Sequence, residues 1–117
     1  MKFGIFSHVP WPEGTDPKQL MDQMIEQAIY GEDLGFHCVW LAEHHFSRYG
    51  LSSSPLVLGA SIAARTEKIR IGTAVLVPTL HNPVRLAEDT AMLDTISGGR
   101  LDVGYGRGAA GYEYTAY

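Results

Sequence analysis

Short apolar runs alternate with longer segments of helical periodicity along this chain of 117 residues. The apolar runs are Phe3 to Ser7, Cys38 to Ala42, Ile69 to Val77 and Leu101 to Tyr105. Runs of this length that are apolar on both faces are typical of strands buried in a parallel sheet. The pattern therefore predicts four strands.

Three helices are predicted between these strands, each with a start signal followed by proline. Asp16 is the expected cap of the first helix, and Gly35 follows its end. Ser54 is the expected cap of the second helix, which is apolar or small almost all round and is therefore expected to be buried on more than one side. Asn82 is the expected cap of the third helix, which runs to about Ser97.

Strands separated by single helices indicate right-handed crossovers and a parallel sheet, which is an α/β fold. Four strands and three helices match about half of a (β/α)8, or TIM, barrel, which needs roughly 250 residues. We expect residues 1–117 to form one truncated TIM-barrel domain, the N-terminal half, which ends at Tyr117 inside a loop. Its uncovered inward side chains would be Phe3, Ile5, Val39 and Leu41, or their alternates.

Composition narrows the classes of partner. The formal net charge is −4 and the sequence pI is about 5.6, which argues against a nucleic-acid partner. No apolar run approaches the length of a membrane span, and the N-terminus does not match a signal peptide. Cys38, the single cysteine, is expected to be buried as a small hydrophobe. We therefore expect a cytoplasmic protein with no membrane partner.

Three titratable side chains, Glu43, His44 and His45, follow the second predicted strand. The C-terminal ends of parallel strands are where α/β folds place ligand sites, and histidine exchanges a proton near neutrality. The segment therefore predicts acid–base chemistry, although the two histidines could instead serve only to hydrogen-bond the backbone. No metal is predicted, because adjacent histidines tend to point apart and this spacing matches no zinc signature.

Gly106 to Gly111 matches the pattern G-x-G-x-x-G of dinucleotide sites. Such a site needs the glycines in the first strand-to-helix turn and an acidic residue about 20 positions later. Here the glycines follow the fourth predicted strand, so we do not expect a dinucleotide site.

Several motifs occur in order at the boundaries between predicted strands and helices. Through these motifs the chain resembles the N-terminal part of the luciferase-like flavin monooxygenases, which include bacterial luciferase. This resemblance implies a TIM barrel that uses reduced flavin and dioxygen. The motifs are Phe3-Gly4-Ile5-Phe6, Leu34-Gly35-Phe36, Trp40 to Phe46, Ile71 to Val75, His81-Asn82-Pro83-Val84-Arg85 and Ser97 to Asp102.

The resemblance also implies roles for individual residues. His44 matches the family's catalytic histidine, which acts as a base in the reaction of the flavin with dioxygen. Glu43 and His45 match neighbours that shape the flavin site. Thr73, Ala74 and Val75 match the strand beneath the flavin ring, and the bond between Ala74 and Val75 matches a cis peptide of bacterial luciferase.

Arg107 matches an arginine near the flavin phosphate, although it could also be a solvated loop charge. Family members often pair through their second and third helices, which here would use the small side chains of the second helix near Arg85, Glu88 and Asp89. Those small residues could equally pack on the sheet. They are Gly59, Ala60, Ala63 and Ala64.

By resemblance, the parent enzyme adds one oxygen atom from dioxygen to a small organic substrate such as an aldehyde. It uses reduced FMN, which a separate flavin reductase supplies. Two alternatives remain open: a deazaflavin-dependent oxidoreductase of the same fold, and a catalytically inactive half barrel that binds itself or a complementary chain. For the isolated chain we expect an oligomer that binds FMN incompletely and has no turnover, because loops after later strands also contribute to the family's pockets.

Overall fold

The computed structural model describes residues 1–117 and contains one four-stranded parallel sheet in the order β1-β2-β3-β4. None of its helices is both long enough and apolar enough to span a membrane. The elements are β1 (Gly4–Ser7), α1 (Pro17–Asp33), β2 (Cys38–Leu41), α2 (Pro55–Ala63), β3 (Arg70–Leu76), a 3-10 turn (Pro78–Leu80), α3 (Pro83–Ser97), β4 (Leu101–Tyr105) and α4 (Gly111–Ala116).

Most of the predicted helix signals are confirmed. The carboxylate of Asp16 accepts a hydrogen bond from the Lys18 backbone N–H, and the side chain of Asn82 accepts from two backbone N–H groups of α3. The third helix ends at the predicted residue. Ser54 stands at the N-cap position of α2, as predicted, but its side chain makes no capping hydrogen bond. Pro55, the next residue, has no N–H that needs an acceptor.

One row of side chains crosses all four strands on the face that the helices cover. The register pairs Ile5 with Val39, Val39 with Ile71, and Ile71 with Leu101. Val39 and Ile71, like the neighbouring Leu41, are fully buried in the core with apolar residues of α1, α2 and α3. The expectation that Val39 and Leu41 remain uncovered is therefore wrong. The uncovered side chains are those that alternate with them and point to the other face of the sheet.

The opposite face of the sheet carries no helix. Phe6, Trp40, Gly72 and Asp102 form its register row, and Phe6 is 60% exposed. The Trp40 ring lies over Gly72, since a Cβ there would come within 2.2 Å of Trp40 Cε3. Arg70 forms a bidentate ion pair with Asp102 on this face, at 2.6 and 2.7 Å. This surface, which we call the open face, is therefore aromatic at one end and charged at the other.

Cys38 is buried at the start of β2, as predicted. Burial, together with the nearby carboxylate of Asp102, raises the pKa of the Cys38 thiol to about 12. The thiol therefore stays protonated near neutrality and packs as a small apolar side chain.

A short helix, α4, lies where the sequence predicts a loop. Six residues are too few to show helical periodicity, and a helix of this length is not stable by itself in water. A tertiary contact supports α4, because the carboxylate of Glu113 is buried and bonded to the segment after β2. The contact joins residues 68 positions apart, so no local pattern predicts it.

Candidate active site

A cavity of about 440 Å³ lies at the C-terminal ends of β2 and β3, beside the segment that follows β4. Its polar edge is formed by Glu43, His44, Tyr49 and Glu113. Its apolar walls are formed by Ala42, Ala74, Val75, Val77, Ala109 and Ala110. A cavity of this size, mostly apolar with a few convergent polar groups, is typical of a site for a small molecule or cofactor.

The His44 imidazole is half-buried at this cavity and is held by aromatic neighbours. The Tyr49 ring lies 4.8 Å from it, edge to face, and His8 stacks on Tyr49 at 4.5 Å. Gly50 packs against the same imidazole, since a Cβ at Gly50 would lie 2.8 Å from His44 Cδ2. The backbone N–H of His44 donates to the carbonyl of Ser52 at 3.0 Å. These contacts fix the imidazole at the edge of the cavity.

Burial lowers the pKa of His44 below its usual value, and the charges of His8 and His45 act in the same direction. The carboxylates of Glu113 and Glu43 act in the opposite direction. The imidazole is therefore neutral at pH 7, and its unprotonated nitrogen can accept a proton.

Glu43 is buried directly behind His44. Its Oε1 accepts from the Nε2 atoms of His45 and His81, at 2.8 and 2.7 Å, and its Oε2 accepts from the Val77 backbone N–H at 2.8 Å. An ionised carboxylate has only acceptors, so both imidazoles carry a hydrogen on Nε2. The Nδ1 of His45 lies 3.0 Å from the Tyr117 hydroxyl, within hydrogen-bond distance. Glu43 thus ties the end of β2 to the end of β3.

The predicted site residues divide between the cavity and its surroundings. Glu43, His44, Ala74 and Val75 line the cavity, and the Ala74–Val75 peptide bond is cis, as the resemblance implied. The ring of His45 lies behind Glu43 and is 4% exposed.

Thr73 and Arg107 do not line the cavity. The hydroxyl of Thr73 is buried, where it donates to the Gly104 carbonyl and accepts from the Gly104 N–H. Arg107 is exposed, and its backbone carbonyl accepts from the Tyr114 hydroxyl, although the neighbouring Gly108 does reach the cavity.

Sequence reasoning missed five residues that build the site. His8 follows the end of β1 and His81 follows β3, so the rule that selected Glu43 to His45 could have selected both. The others lie away from the strand ends and have no such signal, because only the fold brings them to the two imidazoles. They are Tyr49, Glu113 and Tyr117.

Stability is expected to depend on pH through His44. In the unfolded chain the His44 imidazole takes up a proton at about pH 6.5, whereas in the folded chain it does so only at lower pH. The contribution of His44 to stability is therefore full above about pH 6.5 and is lost as the pH falls through its folded pKa. NMR titration of the imidazole, with urea midpoints measured across the same range, checks this. The midpoint of His44→Gln should fall less on acidification, and an imidazole that titrates at or above about 6.5 would contradict the prediction.

No group of three or more histidine, cysteine or acidic side chains is arranged to hold a metal ion. The sequence profile of the luciferase-like monooxygenase family matches residues 1–117. The chain belongs to the luciferase-like monooxygenase family.

Two curated relatives of this luciferase-like chain are oxygenases. It is 37% identical over 115 residues to the oxygenase component of the flavin-dependent trigonelline monooxygenase of Acinetobacter baylyi, covering 97% of this chain and 32% of the relative. It is 41% identical over 109 residues to the alkanal monooxygenase alpha chain of Photobacterium phosphoreum, covering 92% of this chain and 30% of the relative. The chain therefore spans about a third of the length of the curated relatives that it matches.

Solved structures have the same fold. Monooxygenase RslO1 from Streptomyces bottropensis matches 99% of this chain with a TM-score of 0.93 and 41% identity, over 36% of its own length. The oxygenating constituent of 3,6-diketocamphane monooxygenase from Pseudomonas putida, solved with FMN, matches with a TM-score of 0.94 at 24% identity, which shows the fold alone. An F420-dependent secondary alcohol dehydrogenase matches less closely, with a TM-score of 0.73 and 26% identity. The sheet and helices of this chain thus correspond to part of a TIM barrel.

The residues at the cavity fit a flavin. Small side chains at Ala42, Ala74, Ala109 and Ala110 leave a space with apolar walls, which suits a flat ring system. Gly108 also lines the cavity, and His44 places a neutral imidazole on its polar edge. These residues present both an apolar seat and a proton acceptor.

Proposed function

We propose that the enzyme carrying this chain is an FMN-dependent monooxygenase, which transfers one oxygen atom from dioxygen to a small organic substrate such as an aldehyde. The observation that carries the proposal is the neutral imidazole of His44 at the edge of an apolar cavity, in a family of flavin monooxygenases. One relative is named alkanal monooxygenase, which supports an aldehyde as the substrate. Another is named as an oxygenase component, which supports a separate flavin reductase as the source of reduced FMN. The proposal includes a cytoplasmic location.

Bound reduced FMN would supply the electrons that activate dioxygen. Ala74 and Val75 would seat the flavin ring, while the apolar walls exclude water from it. His44 would accept a proton from the reacting groups, because burial keeps its imidazole neutral. Glu43 and His45 would hold the site together from behind.

Two further residues belong to the proposal as parts of the cofactor site, Arg107 by contact and Thr73 through its strand. The guanidinium of Arg107 is exposed next to the cavity wall, and its charge and shape suit a phosphate. Thr73 would contribute through the strand that it fixes to β4 rather than by direct contact. Because a flavin site must hold its groups within about half an ångström, we propose that the isolated chain binds FMN incompletely and does not turn over.

Oxygen labelling tests the reaction. With reduced FMN and ¹⁸O-labelled dioxygen, the complete enzyme should place one labelled atom in the product of an aldehyde, because a monooxygenase takes that atom from dioxygen. Mass spectrometry of the product measures it, and labelled water with ordinary dioxygen is the control. Anaerobic turnover with a reduced or oxidised deazaflavin, together with no turnover with FMN, would contradict the proposal. That result would favour the hydride-transfer alternative, which the similarity to an F420-dependent dehydrogenase supports.

We further propose that the chain associates through α2 and α3. Between these helices lies an apolar groove of about 260 Å³, flanked by the exposed side chains of Val57, Met92 and Ile96. Gly59 is not part of this surface, because it packs inward, where a Cβ would lie 3.0 Å from a methyl group of Leu93. Ala63 is also buried, whereas Ala60 lines the groove and Ala64 is exposed.

Sedimentation of the purified chain is expected to give an oligomer, since a large exposed apolar patch favours association. Met92→Glu should shift the distribution toward monomer, because the new charge would be desolvated in the interface. Gln27→Glu, on the exposed side of α1, is the matched control and should change nothing. A compact monomer for the unchanged chain would contradict this prediction. An oligomer that Met92→Glu leaves intact would assign the contact to the open face or the sheet edges.

A further inference from the structure

The short helix α4 and the residue that follows it both bond to His45, in the segment after β2. The carboxylate of Glu113, which is 4% exposed, accepts the His45 backbone N–H at 2.9 Å. The hydroxyl of Tyr117 lies 3.0 Å from Nδ1 of the same residue. One residue of α4 thus holds the backbone of the His44–His45 segment, and the residue that follows the helix contacts its side chain.

Glu113 also lines the cavity that His44 faces. Four charged or titratable groups act on the His44 imidazole: Glu113 and Glu43 favour its protonated form, and His8 and His45 oppose it. Burial has the largest influence on the pKa of His44, and Glu113 has the largest influence of the four groups. A buried carboxylate acts strongly because little water screens it.

We propose that Glu113 is a positioning residue of this active site, which ties the segment after β4 to the backbone of the His44–His45 loop and places a negative charge beside the His44 imidazole. The inference rests on the proposed role of His44 as a base. A base becomes positively charged when it accepts a proton, and a fixed negative charge nearby stabilises that product. The same hydrogen bond keeps the imidazole at the cavity edge while the charge changes.

Two substitutions separate the charge from the hydrogen bond. Glu113→Gln keeps an oxygen that can accept the His45 N–H but removes the charge, whereas Glu113→Leu removes both. In NMR titrations of the purified chain, Glu113→Gln should lower the pKa of His44 further below its usual value. In hydrogen exchange, Glu113→Gln should keep the protection of the His45 amide, and Glu113→Leu should reduce it by about tenfold or more.

Glu26→Gln is the matched control, because Glu26 is exposed on α1; it should change neither quantity. An unchanged pKa of His44 in Glu113→Gln would overturn the inference, and so would unchanged protection of the His45 amide in Glu113→Leu. If Glu113→Leu does not fold, the titration of Glu113→Gln decides alone. Both readouts use the chain without cofactor, so they are independent of turnover. If both shifts occur but the turnover of the complete enzyme does not depend on His44, the contacts of Glu113 stand and the proposed function is contradicted.

Discussion

Alanine in place of His44 is expected to lower turnover of the complete enzyme by roughly 10²- to 10⁴-fold, which is the usual contribution of general acid–base catalysis. The imidazole is neutral and stands at the edge of the cavity, so its removal takes away the proton acceptor. The side chain is only half-buried and packs against the Tyr49 ring at that edge, so folding should barely change. Steady-state turnover with reduced FMN and dioxygen, together with circular dichroism, measures the two effects.

His37→Ala provides a matched control for this substitution. His37 is also half-buried, but it precedes β2 and so lies at the opposite end of the strand from the cavity. Its removal should leave turnover close to that of the unchanged enzyme. Equal turnover in His44→Ala and the unchanged enzyme would remove His44 from the mechanism.

Leucine in place of Glu43 is expected to lower the free energy of unfolding by about 3–5 kcal/mol. The Glu43 carboxylate is the shared acceptor for His45, His81 and the Val77 backbone N–H, and its side chain is fully buried. A leucine would leave the buried donors of His45 and Val77 without a partner, and each such donor costs about 1–3 kcal/mol before relaxation, whereas the partly exposed His81 can turn to water at smaller cost. Urea denaturation of the purified chain measures the loss.

Two other variants sharpen this measurement. Glu43→Gln keeps an oxygen for one or two of the donors, so its loss should be smaller, about 1–2 kcal/mol. Glu26→Leu changes an exposed residue of α1 and should stay within about 0.5 kcal/mol of the unchanged chain. A loss for Glu43→Leu no larger than that of Glu26→Leu would show that the carboxylate does not hold β2 to β3.

Local sequence signals were sufficient for the four strands and the first three helices of this fold. A cap followed by proline marks the start of α1 and of α3, and Gly98, with a φ of +69°, marks the end of α3 at the predicted position. These signals work because they satisfy or replace backbone groups within a few residues of the helix end. α4 has no comparable signal, since its support comes from a contact with His45.

The orientation of the site residues could not be predicted from the pattern. Side chains alternate along an extended segment, so Glu43 and His45 continue the buried row that includes Leu41, while His44 points to the other side. The sequence does not reveal which row is buried, because Cys38 to Ala42 is apolar at every position. The resemblance assigned both Glu43 and His45 to the flavin site, and in the structure their side chains bond to each other, with Glu43 at the cavity edge and His45 behind it.

The open face of the sheet also gives the chain an optical probe. Of its two tryptophans, Trp11 lies beneath the Arg48 guanidinium at 4.5 Å, whereas Trp40 lies across Gly72 on the open face. Indole emission moves to shorter wavelength as water leaves the ring. A polypeptide that covers the open face should therefore shift the emission maximum of Trp40 to shorter wavelength. A Trp11→Phe variant would show this shift without emission from Trp11.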